Sequence, residues 1–415
     1  MRLRSGMRVV RRGPGEVQIG TDRRWAVRVD GLTSYEARVL AGLGDGASLG
    51  PLAADPRLDA VRLAALLDQL AEAGVTEPAS RRTTTGPAGA DARVLGLLRP
   101  DGDGCAAVAA RADRAVGVVG LGSTGLGIAA ALAAAGVGRL VLEDPRPVRS
   151  ADVGPSGYRW QDVGRPRLPA AVHVVAGIAP TVATEPAPSG TTPGARAPSP
   201  AVDLAAVDRA MVDRAMVDLV VVVSDDAVDS ALAARLVNRG TPHLSVVLRE
   251  ADTVLGPLVV PGRDPCLRCL DLHRRDADPV WPSLAGALAA GSATSPPPEP
   301  AAVASVAAGL AAAAVLAHLD APDSPHRLGG ATLELGLPDA LPRERRWAAH
   351  PACGCTAQGS GGPTAAVGPS GPTAAVGPSG PTAAVRPDGP TAAVRPPGAC
   401  ADGPDHAWSG RPHHR

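Results

Sequence analysis

Three glycines and four cysteines are the residues of this chain whose types and spacing could do chemistry. Gly120-x-Gly122-x-x-Gly125 stands between an apolar run at 116–119 and a stretch of helical composition at 125–135. In that setting each glycine has a task. The first permits a tight turn, the second lets a phosphate approach the backbone, and the third lets helix and strand pack closely. The start of the helix adds free N–H groups and a partial positive charge, which together seat an anion. Asp144 lies 24 residues past Gly120, at the end of the next apolar run, where a ribose-binding carboxylate belongs. The plain alternative is a Rossmann-type unit that holds no ligand.

The cysteines form two pairs, Cys266-x-x-Cys269 in PGRDPCLRCLDLH and Cys353-x-Cys355 in HPACGC. Thiolates two or three residues apart can grip one ion from a tight turn, and two such grips complete a tetrahedral all-thiolate zinc site. With no open coordination position the zinc would be structural. The 83 residues between the pairs would make it a long-range staple. His350 is a spare ligand, and the alternatives are idle buried cysteines or a redox pair. Cys105 and Cys400 fall outside the pattern.

Composition narrows the chemistry further. The 41 basic residues of this 415-residue chain are all arginine, so a Schiff-base lysine or a P-loop lysine is excluded. They balance 41 acidic residues, so no global field favours nucleic acid or an anionic membrane. The longest apolar stretch, 301–319, is mostly alanine and carries Ser305 and His318, as a packed helix would. The first residues lack an apolar core of signal-peptide length, and the expected location is the cytoplasm.

These residues need elements to position them. Residues 1–78 carry three short β-like runs (MRVVRR, EVQIG, WAVRVD) and two helical ones. The first helix is announced by a Thr33-x-x-Glu36 capping box and the second ends at Gly74. This suits a winged-helix-like domain. Its second helix has one arginine against three acids, the wrong balance for a major groove, so nucleic acid is not the expected partner. Residues 79–92 read as a polar linker. From 93 to 357 strands and helices alternate, with strands at 116–119, 139–143 and 219–223, which argues for an α/β, doubly wound, mostly parallel sheet. Residues 186–200 and 291–300 read as flexible insertions. Residues 358–415 contain four nine-residue units beginning at Gly362, Gly371, Gly380 and Gly389. Their Pro and Gly content predicts a disordered tail with neither helix nor sheet.

Taken together, GxGxxG, AGVGRLVLED, GRPR, a strand ending in Asp225, and CxxC with a later CxC resemble the ThiF-type superfamily. That group includes the ubiquitin-activating-enzyme-like adenylyltransferases, and the likeness runs over roughly 110–356. The N-terminal block is similar to the winged-helix element that recognises precursor peptides. The combination most resembles the ThiF-like leader peptide-binding proteins of azole and azoline peptide biosynthesis. The resemblance implies ATP on the glycine loop, Mg²⁺ on Asp225, and Arg167 at the position of a lysine that contacts the triphosphate. It also implies homodimers. Departures accompany it: the family's Asp-x-Asp reads Asp144-Pro145-Arg146, its Asn-x-x-Arg-Gln segment is replaced, and no cysteine stands between Asp225 and Cys266. Two functions therefore follow. One is a protein that binds a leader peptide and presents it to a partner modifying enzyme, without contact with a membrane. The other is an ATP-dependent adenylyltransferase acting on a peptide carboxylate, with Asp225 and Arg167 as its working residues.

Overall fold

The computed structural model describes residues 1–78, 84–99, 101–186, 217–290, 296–355 and 393–395. The chain divides into two units: one holds 1–83, 93–104 and 374–415, the other 84–92 and 105–373.

In the first unit, β1 (Arg2–Leu3) pairs with β5 (Thr76–Glu77), and β2 (Val9–Gly13), β3 (Glu16–Ile19) and β4 (Val27–Asp30) form an antiparallel meander. Strand alternation turns Val17, Ile19, Val27 and Val29 to one face. There they meet Leu40 of α1 (Ser34–Ala41) and Leu63, Leu66 and Leu70 of α2 (Ala60–Glu72) in one core. The capping box forms as its residues require: the Glu36 amide donates to Thr33 Oγ1 at 3.1 Å and the Thr33 amide to a Glu36 carboxylate oxygen at 2.7 Å. Asp59 caps α2 through the Arg62 amide at 2.9 Å, and Gly74 closes it at φ +69°.

Two helices stand where a linker and the start of a domain were expected. α3 (Gly89–Leu98) begins inside the polar stretch and α4 (Gly104–Arg111) follows it. Polar composition misled here, because the run from Ala88 to Ala92 is alanine-rich and continues without a break into Val94 and Leu95.

The second unit is built on an eight-stranded sheet. β6 (Ala115–Val119), β7 (Arg139–Glu143), β8 (Ala183–Pro186), β9 (Leu219–Asp225) and β10 (His243–Leu248) run parallel. β11 (Asp252–Val259), β12 (Ala331–Gly336) and β13 (Arg343–Arg346) extend it antiparallel, giving the order β13-β12-β11-β10-β9-β6-β7-β8. The expected strands at 116–119, 139–143 and 219–223 are present within these bounds. Buried on both faces, β6 and β9 are continuous apolar runs of the kind a parallel sheet needs.

From β6 the chain crosses to β7 on one side, through α5 (Ser123–Ala134), and β9 lies on the other side. That reversal creates a crevice at the carboxyl ends of β6, β7 and β9. α6 (Arg167–Ile178) packs beside α5, and α7 (Ser230–Asn238) beside α8 (Leu267–Ala277). α9 (Trp281–Ala289) follows. α10 (Ala301–Asp320) is long and apolar enough to cross a membrane by length and composition. It lies instead along α5 and the sheet, burying Val303, Ala307, Ala311 and Val315 in the main core.

The insertion expected at 186–200 lies outside the described residues except for Pro186. The one expected at 291–300 is described from Pro296, and its Glu299 is held within the fold with a side chain only 4% exposed. Most of the tail also lies outside the described residues, but three residues of it correct the expectation of no sheet. β14 (Ala393–Arg395) pairs antiparallel with the outer edge of β4, making the order β14-β4-β3-β2. Pro390 and Pro396 lack an N–H, but the five residues between them keep theirs. Adding a strand to an existing edge needs no sheet of the tail's own.

Candidate functional site

The glycine loop takes the shape its sequence demands. Gly120, at φ +84°, makes the turn out of β6, and a Cβ there would stand 2.5 Å from the Val223 carbonyl. A Cβ on Gly125 would collide with the Gly120 carbonyl, so that glycine lets the helix sit against the loop. Gly122 differs. A Cβ there would collide with the carboxylate of Glu299, so the space opened for a phosphate is occupied by an acid of the same chain.

Glu299 is seated as an anion at a helix start. Its Oε2 accepts the Thr124 amide at 2.7 Å, and Arg149 Nη2 lies 3.6 Å from its Oε1. A carboxylate there satisfies an orphan donor and the helix dipole together.

The other acids of the crevice are equally engaged. Asp144, 1% exposed, accepts the Leu121 amide at 2.8 Å, Arg146 Nε at 2.9 Å and Nη2 at 3.0 Å, and Arg167 Nη1 at 2.9 Å. Arg146 then reaches across the crevice, its Nη1 donating to Asp225 at 2.8 Å. Arg167 is buried as well and donates to Asp152 at 2.6 Å, and Arg149 donates to the other Asp152 oxygen at 2.9 Å. Tyr158 closes the cage, its hydroxyl donating to the Leu121 carbonyl at 2.8 Å. Three guanidinium groups (Arg146, Arg149, Arg167) thus face four carboxylates (Asp144, Asp152, Asp225, Glu299).

Burial alone would raise the pKa of Asp144. The hydrogen bonds and charge of Arg146 and the charge of Arg167 outweigh it and hold the group below the usual carboxylate range. Asp152 is held low in the same way, against burial, chiefly by Arg149 and Arg167. Glu143, at the end of β7, goes the other way: burial and the neighbouring Asp144 charge lift it to about 7.

The structure therefore brings together Gly120, Gly122, Gly125, Asp144, Asp225 and Arg167, the six crevice residues picked from the sequence. It also adds Arg146, Arg149, Asp152 and Glu299, which the motif did not single out. Only Arg146 left a trace in the sequence, as the cation standing where the family's second acid belongs. Mg²⁺ and ATP do not fit the crevice as it is arranged: the phosphate seat holds Glu299, and the carboxylate that would hold the metal is bridged to Asp144. A cleft of about 680 Å³ opens beside α5, lined by Ser123, Gly127, Arg159, His173, Glu299 and Gly309 among others, and neither Asp144 nor Asp225 lines it.

The cysteines give the opposite picture. Cys266 caps α8 and Cys269 lies in its first turn, while Cys353 and Cys355 arrive after β13. All four sulfurs lie within 4.8 Å of one another, with Cys266–Cys353 at 3.5 Å and Cys269–Cys355 at 3.4 Å. Bonds of about 2.3 Å from a central zinc put tetrahedral sulfurs about 3.8 Å apart, so the cluster fits that ion. Burial pushes the Cys266 and Cys269 thiols up, Cys269 to about 11, the state a cation would reverse. His350 is not a fifth ligand. Its Nε2 lies 2.7 Å from Asp276, and its Nδ1 accepts the Ala352 amide at 3.0 Å.

Comparison with known proteins agrees with this architecture. The structure of PaaA, in its selenomethionine form, is similar with a TM-score of 0.60 at 18% identity, covering 82% of this chain and 99% of that one. Escherichia coli MccB matches at 0.56 and 15% identity, covering 86% and 99%. The microcin C7 biosynthetic enzyme MccB in complex with N-formylated MccA matches at 0.58 and 14% identity, covering 85% and 98%. At such identities the likeness establishes the fold. No curated protein matches the sequence. The ThiF family model matches residues 107–356, more than half of the chain, and the protein belongs to the ThiF family.

Proposed function

We propose that this ThiF-family protein binds the leader segment of a ribosomally made precursor peptide and presents it to a partner modifying enzyme, without turning over nucleotide itself. The observation that carries the choice is the closed crevice, in which Arg146 bridges Asp144 and Asp225 while Glu299 caps α5. Phosphoryl chemistry needs cations free to meet charge developing on phosphate oxygens. Here four acids already outnumber three arginines. The peptide-binding half rests on the first unit. The side of β4 facing away from β3, where β14 pairs in this structure, would take a strand of the leader peptide around Trp25 to Val29. Main-chain bonds would give affinity and side-chain pockets specificity. MccB, similar in fold, has been described in complex with the peptide MccA. The reading places the protein in the cytoplasm as a homodimer, with zinc as structural cofactor.

A second reading, adenylation of a peptide carboxylate, is favoured by the intact glycine geometry and by the fold likeness to MccB described with ATP. In it Asp225 would hold Mg²⁺ and Arg167 would contact the triphosphate.

One pair of measurements separates them. The protein is incubated with ATP, Mg²⁺ and labelled pyrophosphate, and its binding to labelled leader peptides is followed by fluorescence anisotropy. Peptide binding without pyrophosphate exchange is the expected result. Exchange that Asp225→Ala abolishes would replace the first reading with the second.

A further inference from the structure

We infer that the fourth unit of the C-terminal repeat is a built-in ligand of the first unit's sheet, covering the β4 edge against other extended peptides. The juxtaposition is direct. β14 pairs antiparallel with β4 in the register Ala393 to Asp30, Val394 to Val29 and Arg395 to Arg28, and runs beside α2. This completes a four-stranded sheet whose edge would otherwise be β4.

The repeat is suited to that place. Each unit carries Thr-Ala-Ala-Val, at 364–367, 373–376, 382–385 and 391–394, with a proline before it and another two residues after it. Proline cannot donate to a ladder, so it limits pairing to the short run between. One step past Arg395 the register would set Pro396, which cannot donate to the ladder, against Val27. A run of Ala, Ala and Val has little apolar area to bury, so its affinity comes from main-chain bonds. Tethering compensates for that weakness, because a segment carried on the same chain acts at an effective concentration on the order of millimolar. Since the units repeat every nine residues, a slip by one unit presents the same run to the same edge. The device is a weak ligand at high local concentration, readily displaced by a longer peptide.

The docking stands on the strand pairing alone, whereas competition with a precursor rests on the function proposed above. The test uses hydrogen exchange of the amides of residues 27–30 in three chains. These are the full chain, a chain ended at Ala357, and a full chain carrying Val367→Pro, Val376→Pro, Val385→Pro and Val394→Pro. Protection of that edge at least tenfold greater in the full chain than in the other two, and independent of protein concentration, is expected. Val394→Pro alone should lose less, because neighbouring units remain. Labelled peptide GPTAAVRPP should bind the shortened chain at least tenfold more tightly than the full chain. Equal protection in all three chains, or protection that grows with protein concentration, would overturn the inference. If protection falls and the repeat peptide binds while no leader peptide does, the tail's docking stands and the precursor reading fails.

Discussion

The glycine crevice and the cysteine cluster are both ligand sites by sequence, yet the fold treats them in opposite ways. In the crevice Asp144, Asp152, Asp225 and Glu299 each meet an arginine of the same chain, from Arg146 between Asp144 and Asp225 to Arg149 beside Glu299. At the cluster four sulfurs converge with no cationic side chain among the described residues between them, and burial, chiefly, drives two of the thiols toward the neutral form. A site whose charges are paired from within makes no electrostatic demand for an anionic ligand. One that gathers thiols into a buried tetrahedron makes a strong demand for a cation. Spacing of motif residues is the same kind of evidence in both places; the partners distinguish them.

The largest effect should come from emptying the cluster. Zinc at such a site contributes on the order of 10 kcal/mol of apparent folding free energy. That is comparable to the whole stability of a typical domain. We expect about one zinc per chain by plasma emission, and a fall in Tm of roughly 20 °C or more in Cys353→Ser or after strong chelation. A metal-free Cys353→Ser variant with the parent Tm would show that the sulfurs pack without an ion, and the contrast with the crevice would vanish.

Breaking the crevice should cost less, though still a great deal. Arg167→Met leaves Asp144 and Asp152 short of a buried partner, and breaking a buried pair from one side costs about 3–5 kcal/mol. Urea denaturation of the variant should show that loss. Adding Asp144→Asn should cost less than its own single effect, since the two groups share one network. The pH dependence has a definite sign. Asp144 and Asp152 are depressed in the folded state, so their contribution is fully present above the unfolded carboxylate value near 4. It is lost as pH falls below that. Arg167→Met should therefore flatten the acid limb of the stability curve, and an unchanged acid limb would contradict the network.

Glu143, at the end of β7, supplies the reverse case. Its folded pKa is raised to about 7, so between about 4.5 and 7 the native state holds a proton the unfolded chain has released. Stability should fall across that window by roughly 1–3 kcal/mol. Glu143→Gln should remove the decline, measured as denaturation midpoints at pH 5 and pH 7.5. A decline that persists in the variant would assign it to another group.

These contrasts also mark what the sequence could tell. The three glycines and Asp144 stood out through short-range spacing in a strand–turn–helix context and the four cysteines through their paired spacing, whereas Asp225 was reached only through the family resemblance. The parallel strands were legible as apolar runs, and α1 through its capping box. Glu299 was not, because it lies far along the chain in a proline-rich stretch that reads as a flexible loop, and only the fold carries it to α5. Arg146 could be seen as a departure from the family pattern but not as a bridge, since its second partner is 79 residues away. β14 was hidden for a different reason: composition rules ask whether a segment can build its own sheet, and Ala393 to Arg395 borrow one.

The smallest effect is also the sharpest test of the comparison. Glu299 gives the α5 N-terminus its anion, a contact worth about 0.3–1 kcal/mol and up to about 2 kcal/mol when partly buried. Glu299→Ala should thus destabilise the protein only slightly, while bringing the crevice's arginines and acids to three each and freeing the Thr124 amide. If that carboxylate is what keeps phosphate out, pyrophosphate should raise the Tm of Glu299→Ala and leave the parent unchanged, because an anion that binds only the folded state stabilises it by mass action. Asp225 would still be bridged by Arg146, so the gain should be in anion binding and not in pyrophosphate exchange. A parent protein stabilised by pyrophosphate as much as the variant would mean that Glu299 yields its seat readily, and the crevice would then belong with the cysteine cluster as a site awaiting its ligand.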